Sequence, residues 1–277
     1  MKKILVIGGG ASGMTAALTA AEEPENSVTL LERQQRVGRK LLATGNGRCN
    51  LTNTGATAAD YHGEQPEFVL PALEKFPPQS AVEFFASLGL ITVTEPGGRV
   101  YPLSDSANSV VDVLRFALEQ AGVEIVSSCP VRELIYNSGR YTAITDNERF
   151  EADKVIVACG GAAGAKLGGV FDGYELMKGL GHRRTKLYPS LVQIITEPDY
   201  PRALKGVRAD ADIRLYSAGE LVAHSVGELQ FTDRGVSGPA AFDISRAAST
   251  AGESAYLCIS FLREYSADHV FDLLKMR

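Results

Sequence analysis

Residues 3–32 read KILVIGGGASGMTAALTAAEEPENSVTLLE. Ile4 to Ile7 is an apolar run without polar alternation, the pattern of a strand buried on both faces. Gly8-x-Gly10-x-x-Gly13 follows, then Ala16, Ala17, Leu18, Ala20 and Ala21 at helical spacing. A second apolar run, Val28 to Leu31, ends on Glu32. The order predicts strand, turn, helix and strand, closed by an acid.

Each part of this unit has a physical use. Gly8 permits a tight turn out of the strand. Gly10 has no Cβ, so phosphate oxygens can reach backbone N–H groups at the start of the helix, beside Ala11 and Ser12. Gly13 and Ala17 let the helix approach the sheet. Glu32 lies at about the roughly 20-residue spacing at which an acid accepts from a ribose hydroxyl. The expectation is a dinucleotide site at Gly8, Gly10, Ala11, Ser12, Gly13 and Glu32. An acid here favours an unphosphorylated ribose, as in FAD or NAD, over NADP.

The chain has 277 residues, enough for two modest domains, and a net charge of −5, which offers no basic footprint for nucleic acid. No apolar run is long enough to span a membrane, and the run after Met1-Lys2-Lys3 is too short for a secretory signal. Cys49, Cys129, Cys159 and Cys258 form no CxxC pair. That argues against a zinc site, and no metal is expected. It suggests reduced thiols and a cytoplasmic location.

Arg33 to Gly55, RQQRVGRKLLATGNGRCNLTNTG, is dense in Gly, Asn, Thr and Arg. It reads as an extended loop laid against a ligand, with Arg39, Lys40 and Arg48 available to neutralise phosphates or a substrate anion. A solvated basic loop is the plainer alternative.

With GGGASGMTAA and LLER before it, the run GRKLLATGNGRCNLTN resembles the signature of bacterial NAD(P)/FAD-dependent oxidoreductases of the BaiN/YhiN type, an aminoacetone oxidase-like group. The likeness continues in TVTEPGGRVYPLSDSANSVVDVL, VIVACGG, YPSLVQ and GELQFTDRGVSGPAAFDIS, and so covers nearly the whole chain. It implies an α/β fold: a Rossmann-type, glutathione-reductase-like FAD-binding domain with an inserted, mainly antiparallel β substrate domain. It implies FAD as cofactor, with Arg33, Arg39, Lys40, Thr44, Gly45, Asn46, Gly47, Val131, Cys159 and Gly160 added to the cofactor-binding candidates. The resemblance further implies that the backbone near Val131 holds the adenine and that the turn after Val155–Ala158 passes the cofactor. Cys159 stands where related proteins usually have threonine. Related chains also continue well beyond this length, which implies that the substrate domain is incomplete here.

The rest of the chain reads as follows. Residues 66–89 are two helices, with Phe84, Phe85 and Leu88 as packed core. A hairpin spans Ile91 to Tyr101, and Arg99 and Tyr101 are weighed as pocket residues. Ser106 caps a helix to about Ala121. Strands follow at Val123–Val126, Val131–Tyr136, Tyr141–Thr145 and Val155–Ala158, then a helix at Asp172–Leu180. Gly160, Ala162 and Ala165 replace the three fingerprint glycines, and no βαβ unit follows, so no dedicated NAD domain is expected. The pattern changes after Tyr188-Pro189, which divides the chain into an FAD-binding part, 1–189, and a substrate domain, 190–277. In the second part, strands are expected at Leu191–Thr196, Ala211–Tyr216, Leu221–Thr232 and Ala255–Phe261. Helices are expected at Ser237–Ala248 and from Ser266 to Arg277. Asp233 and Arg234 are hinge or pocket candidates, or a plain turn.

Three functions fit. The first is an FAD-dependent oxidoreductase for a small organic substrate, with NAD(P)H as transient reductant or oxygen as oxidant. The second is a non-catalytic or truncated FAD-binding fragment. The third is a flavin-dependent RNA-modifying enzyme, which the acidic balance disfavours. No nucleic-acid or membrane partner is expected, and catalytic residues and oligomeric state are open. Neither the four histidines nor Cys49, which has no second thiol near it in sequence, shows a catalytic pattern.

Overall fold

The computed structural model describes residues 1–197 and 199–276. Two compact units divide at Arg184/Thr185. The sequence expectation puts the change at 189/190.

In the first unit, β1 (Lys2–Ile7), α1 (Ala11–Ala21) and β2 (Asn26–Leu31) form the expected βαβ beginning. β3 (Thr52–Asn53) follows the long loop. Residues Pro66–Val69 make a single 3₁₀ turn before α2 (Leu70–Lys75) and α3 (Pro78–Ser87), each with a proline in its first turn, where the missing N–H costs nothing. β4 (Thr92–Thr94) and β5 (Arg99–Pro102) make the hairpin, and β3 adds to it. In α4 (Ala107–Gln120) the Ser106 side chain accepts from Asn108 N–H as N-cap. Its buried Ala107, Val110, Leu114 and Leu118 recur every three or four residues, so one stripe faces the core.

β6 (Glu124–Val126) leads to β7 (Val131–Asn137), β8 (Arg140–Thr145) and β9 (Arg149–Ala152), a three-stranded antiparallel sheet whose third strand the sequence reading lacks. β10 (Lys154–Val157) then returns beside β1, and α5 (Asp172–Gly179) ends the unit's regular structure. The main sheet has the order β10-β1-β2-β6, with every pairing parallel. Alternation along β1 sends Ile4 and Val6 to α1 and α4, and Leu5 and Ile7 to Leu134, Ala143, Ala152 and Leu176. Both faces are covered, which is why β1 carries no polar alternation.

In the second unit, β11 (Ile194–Ile195) is all that forms of the strand expected over Leu191–Thr196. A short helix, α6 (Asp199–Ala203), was not expected. β12 (Arg208–Ser217) and β13 (Glu220–Thr232) form a long hairpin across Ala218 and Gly219, both at positive φ. β14 (Gly235–Ser237) pairs with β11 and β13 and follows a turn at Asp233 and Arg234, where a plain turn was one of the expectations; Ser237, expected to open the helix, is instead the last residue of this strand. Gly235 needs no side chain there, because its Cβ would sit 2.0 Å from Ile194 O. α7 (Pro239–Ala248), β15 (Tyr256–Ser260) and α8 (Ala267–Lys275) complete the unit. The expected end of the last helix, Arg277, lies outside the described residues. Among the described residues the sheet runs β11-β14-β13-β12-β15, antiparallel throughout, with Ala240, Ala241 and Ile244 of α7 on Ile213, Leu215 and Leu229.

Candidate functional site

The first unit contains a cleft of about 790 Å³ where β1 runs into α1. Three glycines there have different jobs. Gly8 turns the chain at φ +114°, and a Cβ on it would sit 2.4 Å from Ala158 O. A Cβ on Gly13 would sit 1.8 Å from Gly8 O, so this glycine permits the helix to touch the strand. A Cβ on Gly10 would meet nothing within 4 Å. Gly10 is the N-cap of α1, and no side chain caps that end. The first-turn N–H groups, beside cleft-lining Ala11 and Ser12, therefore keep their positive end for an anion in the cleft.

Glu32, at the end of β2, also lines the cleft, yet both its carboxylate oxygens are engaged. Oε2 accepts from Gly9 N–H and Oε1 from Gln34 N–H, each at 2.7 Å. The lining continues through Cys129, Pro130 and Val131. Arg33, Arg39 and Lys40 line it too, with their donors turned to neighbouring side chains and to backbone across the gap. Lys40 Nζ donates to Gly161 O and Ala163 O at 3.1 and 3.3 Å. Arg39 donates to Gln34 Oε1 and Lys166 O, and Arg33 to Asp172 and Gly168 O. Neutral carbonyls leave the charge of Lys40 and Arg39 uncompensated beside the cleft, where an anion would use it.

The fourth cation of that loop goes elsewhere. Arg48 pairs with Glu95 and Asp105 and lies over the Tyr101 ring, 4.0 Å from its centre. It is not part of the lining. Neither are Arg99 and Tyr101, and Tyr101 is buried beneath Arg48.

Residues 44–50 divide in the same way. Thr44, Cys49 and Asn50 line the cleft; Gly45, Asn46 and Gly47 do not. The glycine at 45 answers a packing need: at φ +55° its Cβ would sit 2.9 Å from Asn50 N and 3.1 Å from Tyr101. Asn46 and Cys49, at φ 57° and 63°, also adopt the left-handed region, which costs a side-chain-bearing residue about 1–2 kcal/mol.

Cys159 and Gly160 reach the lining at the end of β10. The Cys159 thiol faces Ile7 O at 3.5 Å, and burial, with the charges of Asp172 and Glu32, pushes its pKa up to about 11. Burial also raises that of Cys49, against a hydrogen bond with Thr44. Both therefore stay protonated at neutral pH and are poor nucleophiles. None of the four histidines lines this cleft. Asp233 lies at the β13–β14 turn, 3.9 Å from Lys205. No group of His, Cys, Asp or Glu among the described residues is arranged to hold a metal ion. Among the described residues, no helix is long and apolar enough to cross a membrane.

Sequence reasoning missed one part of the lining. Leu51, Phe76, Ala81, Phe84, Phe85 and Val110 make it apolar. Phe84 and Phe85 meet edge to face at 5.3 Å, packing on the core while also lining the cleft. The signal was their adjacency: neighbouring positions on a helix point about 100° apart, so two large aromatics side by side spread over a face wide enough to reach both the core and the cleft.

Residues 2–256 match a family model described as the HI0933-like protein Rossmann domain. The chain is 40% identical over 274 residues to a 3-dehydro-bile acid delta(4,6)-reductase of Clostridium scindens, covering 98% of this chain and 67% of that protein. It is 28% identical over 247 residues to a ribosomal RNA dihydrouridine synthase of Haemophilus influenzae, covering 87% and 60%. Among solved structures, the open conformation of a flavocytochrome c3 fumarate reductase superposes with a TM-score of 0.48 at 19% identity, over 76% of this chain and 47% of that one. The chain thus spans 60–67% of the length of these two curated relatives.

Proposed function

The chain belongs to the HI0933-like family of FAD-dependent oxidoreductases, and from that premise we propose that it binds FAD in the cleft of the first unit and reduces a small organic substrate at an activated carbon–carbon double bond. The observation that supports this most is the division of labour among the glycines. Gly8 and Gly13 are needed by the fold, whereas Gly10 leaves open space at an uncapped helix N-terminus. The residues present fit the cofactor. The first turn of α1 would take the pyrophosphate, Glu32 and Gln34 flank the adenosine, and Cys129–Val131 supply backbone for the adenine. Thr44, Cys49, Asn50 and the Phe84–Phe85 pair would bound the ring system.

When bound, FAD supplies the hydride chemistry. The chain's own contribution is binding, orientation and exclusion of water. The apolar lining from Leu51, Ala81, Phe84, Phe85 and Val110 lowers the local dielectric, which strengthens every polar contact made there. Lys40 and Arg39, which line the cleft, would offer positive charge to the phosphates. The high thiol pKa of Cys159 keeps a second negative charge away from them. The second unit is read as a substrate domain, and NAD(P)H as the transient reductant.

The identity to the delta(4,6)-reductase supports the reducing direction. A second reading, reduction of a uridine in RNA, is favoured by the dihydrouridine synthase relative and disfavoured by the net charge of −5. The test is anaerobic: bleaching of the flavin band by NADH or NADPH, then recovery on adding either a conjugated steroid ketone or an unmodified ribosomal RNA transcript. Recovery with the ketone alone supports the proposal, recovery with RNA alone supports the second reading, and a chain that takes up no flavin refutes both.

A further inference from the structure

We propose that Glu32 is a positioning residue of the phosphate turn, holding the Gly9 peptide in place whether or not a ribose is present. This rests on the reading of the cleft as a nucleotide site. Every polar group of Glu32 is engaged within the fold. Its N–H donates to Val126 O at 2.9 Å, and its carbonyl accepts from Cys129 N–H at 2.9 Å. Oε2 accepts from Gly9 N–H and Oε1 from Gln34 N–H, both at 2.7 Å. One residue, 9% exposed, thus joins β6, the segment after it, the glycine turn and the start of the basic loop.

The turn depends on that grip. Gly8 N–H donates to Leu31 O, and Gly9 O accepts from Gly38 N–H, each at 2.8 Å. Glu32 therefore supplies the partner that holds the remaining polar group of Gly9. A Cβ on Gly9 would sit 2.6 Å from Val37 and 3.0 Å from Glu32 Oε2, so no side chain fits between the turn and the carboxylate. With the N–H and the carbonyl of Gly9 both tied, the peptide planes on either side of it are fixed, and the N–H groups that follow at Gly10, Ala11 and Ser12 have a set direction before any ligand arrives.

The sign of one substitution separates this role from the alternatives. Glu32→Gln removes a negative charge from beside a phosphate site, so electrostatics alone would tighten an anion. A ribose hydroxyl, present in ADP and absent from the dideoxy nucleotide, would exchange a carboxylate acceptor for a weaker amide one. The amide NH₂, however, cannot accept, so Gln leaves Gly9 or Gln34 N–H facing a donor. The experiment titrates the full chain, wild type and Glu32→Gln, with ADP and with 2′,3′-dideoxy-ADP by calorimetry. Positioning predicts that both nucleotides weaken equally, by about tenfold, the equivalent of one lost hydrogen bond. Weakening of ADP alone would make Glu32 a ribose acceptor only. Tightening of both, or no change, would overturn the proposal in favour of simple charge or no role. If wild type binds neither nucleotide, the site reading fails. Amide exchange at Gly9 then still decides the positioning role: at least about tenfold faster in Glu32→Gln supports it, and equal rates overturn it.

Discussion

Replacing Gly10 by valine should abolish cofactor binding while leaving the fold intact. At φ −80° and ψ −175° Gly10 sits in backbone that a β-branched residue adopts freely, and no atom lies within 4 Å of the Cβ position. Two small terms act on stability. Valine is a poorer N-cap than glycine by up to about 1 kcal/mol. Against this, replacing glycine restricts the unfolded chain, worth about 0.4–1 kcal/mol for Gly→Ala. The sum is near zero. For the ligand the balance differs, because the side chain enters the space that phosphate oxygens need. Losing two charge-assisted N–H bonds, at about 1.5–3 kcal/mol each, amounts to about 3–6 kcal/mol, or roughly 10²–10⁴ in Kd. Flavin fluorescence titration reads the affinity and a thermal melt reads the fold. Gly13→Ala is the control with the opposite result: its Cβ would sit 1.8 Å from Gly8 O, so the melt should collapse, beyond the about 1–3 kcal/mol of ordinary overpacking. Full flavin uptake by Gly10→Val, or a Gly10→Val melt as damaged as that of Gly13→Ala, would refute the reasoning.

Three further outcomes are expected. Arg48→Ala removes the partner of Glu95 and Asp105 and uncovers Tyr101, so residues 44–50 should exchange amide hydrogens faster and bound flavin should change its absorbance envelope; unchanged exchange there would show that the left-handed backbone holds itself. Cys159 titrates higher in the fold than in the unfolded chain, so its contribution is complete below its ordinary pKa of 9.0 and is lost as pH rises from there through about 11. Wild type should therefore lose Tm between pH 9 and 11 more steeply than Cys159→Ala, and parallel losses would contradict the assignment. Leu114→Ala, at a fully buried position of α4, should cost about 2–5 kcal/mol in urea unfolding, and less than 1 kcal/mol would mean the core closes over the gap.

The βαβ beginning was legible because its signals are local. An unbroken apolar run, glycines at set offsets and a terminal acid all lie within 30 residues of one another. Ser106 before α4, and the glycines closing α3 and α4, are equally local: a cap acts on the turn beside it. β9 and β14 were not legible, although strands as short as β4 and β6 were: each carries a single large apolar residue, Phe150 or Val236, and exists because neighbouring strands offer it partners.

The site followed the same rule. Its glycine turn and acid could be read along the chain, but which way Glu32 turned could not. Its carboxylate takes Gly9 N–H, 23 residues away. Arg39, Lys40 and Arg48 look alike in sequence, each a cation in a glycine-rich loop. Only the fold sends Lys40 to Gly161, 121 positions on, and Arg48 to Glu95, 47 positions on, leaving two of the three in the cleft. Phe84 and Phe85 read as core because burial against protein and burial against a ligand select the same side chains. Local sequence determined the dinucleotide-type turn and the elements around it, since short-range hydrogen bonding and backbone sterics act within a few residues. The lining of the cleft was decided by tertiary structure, because it depends on which distant segments the sheet brings together.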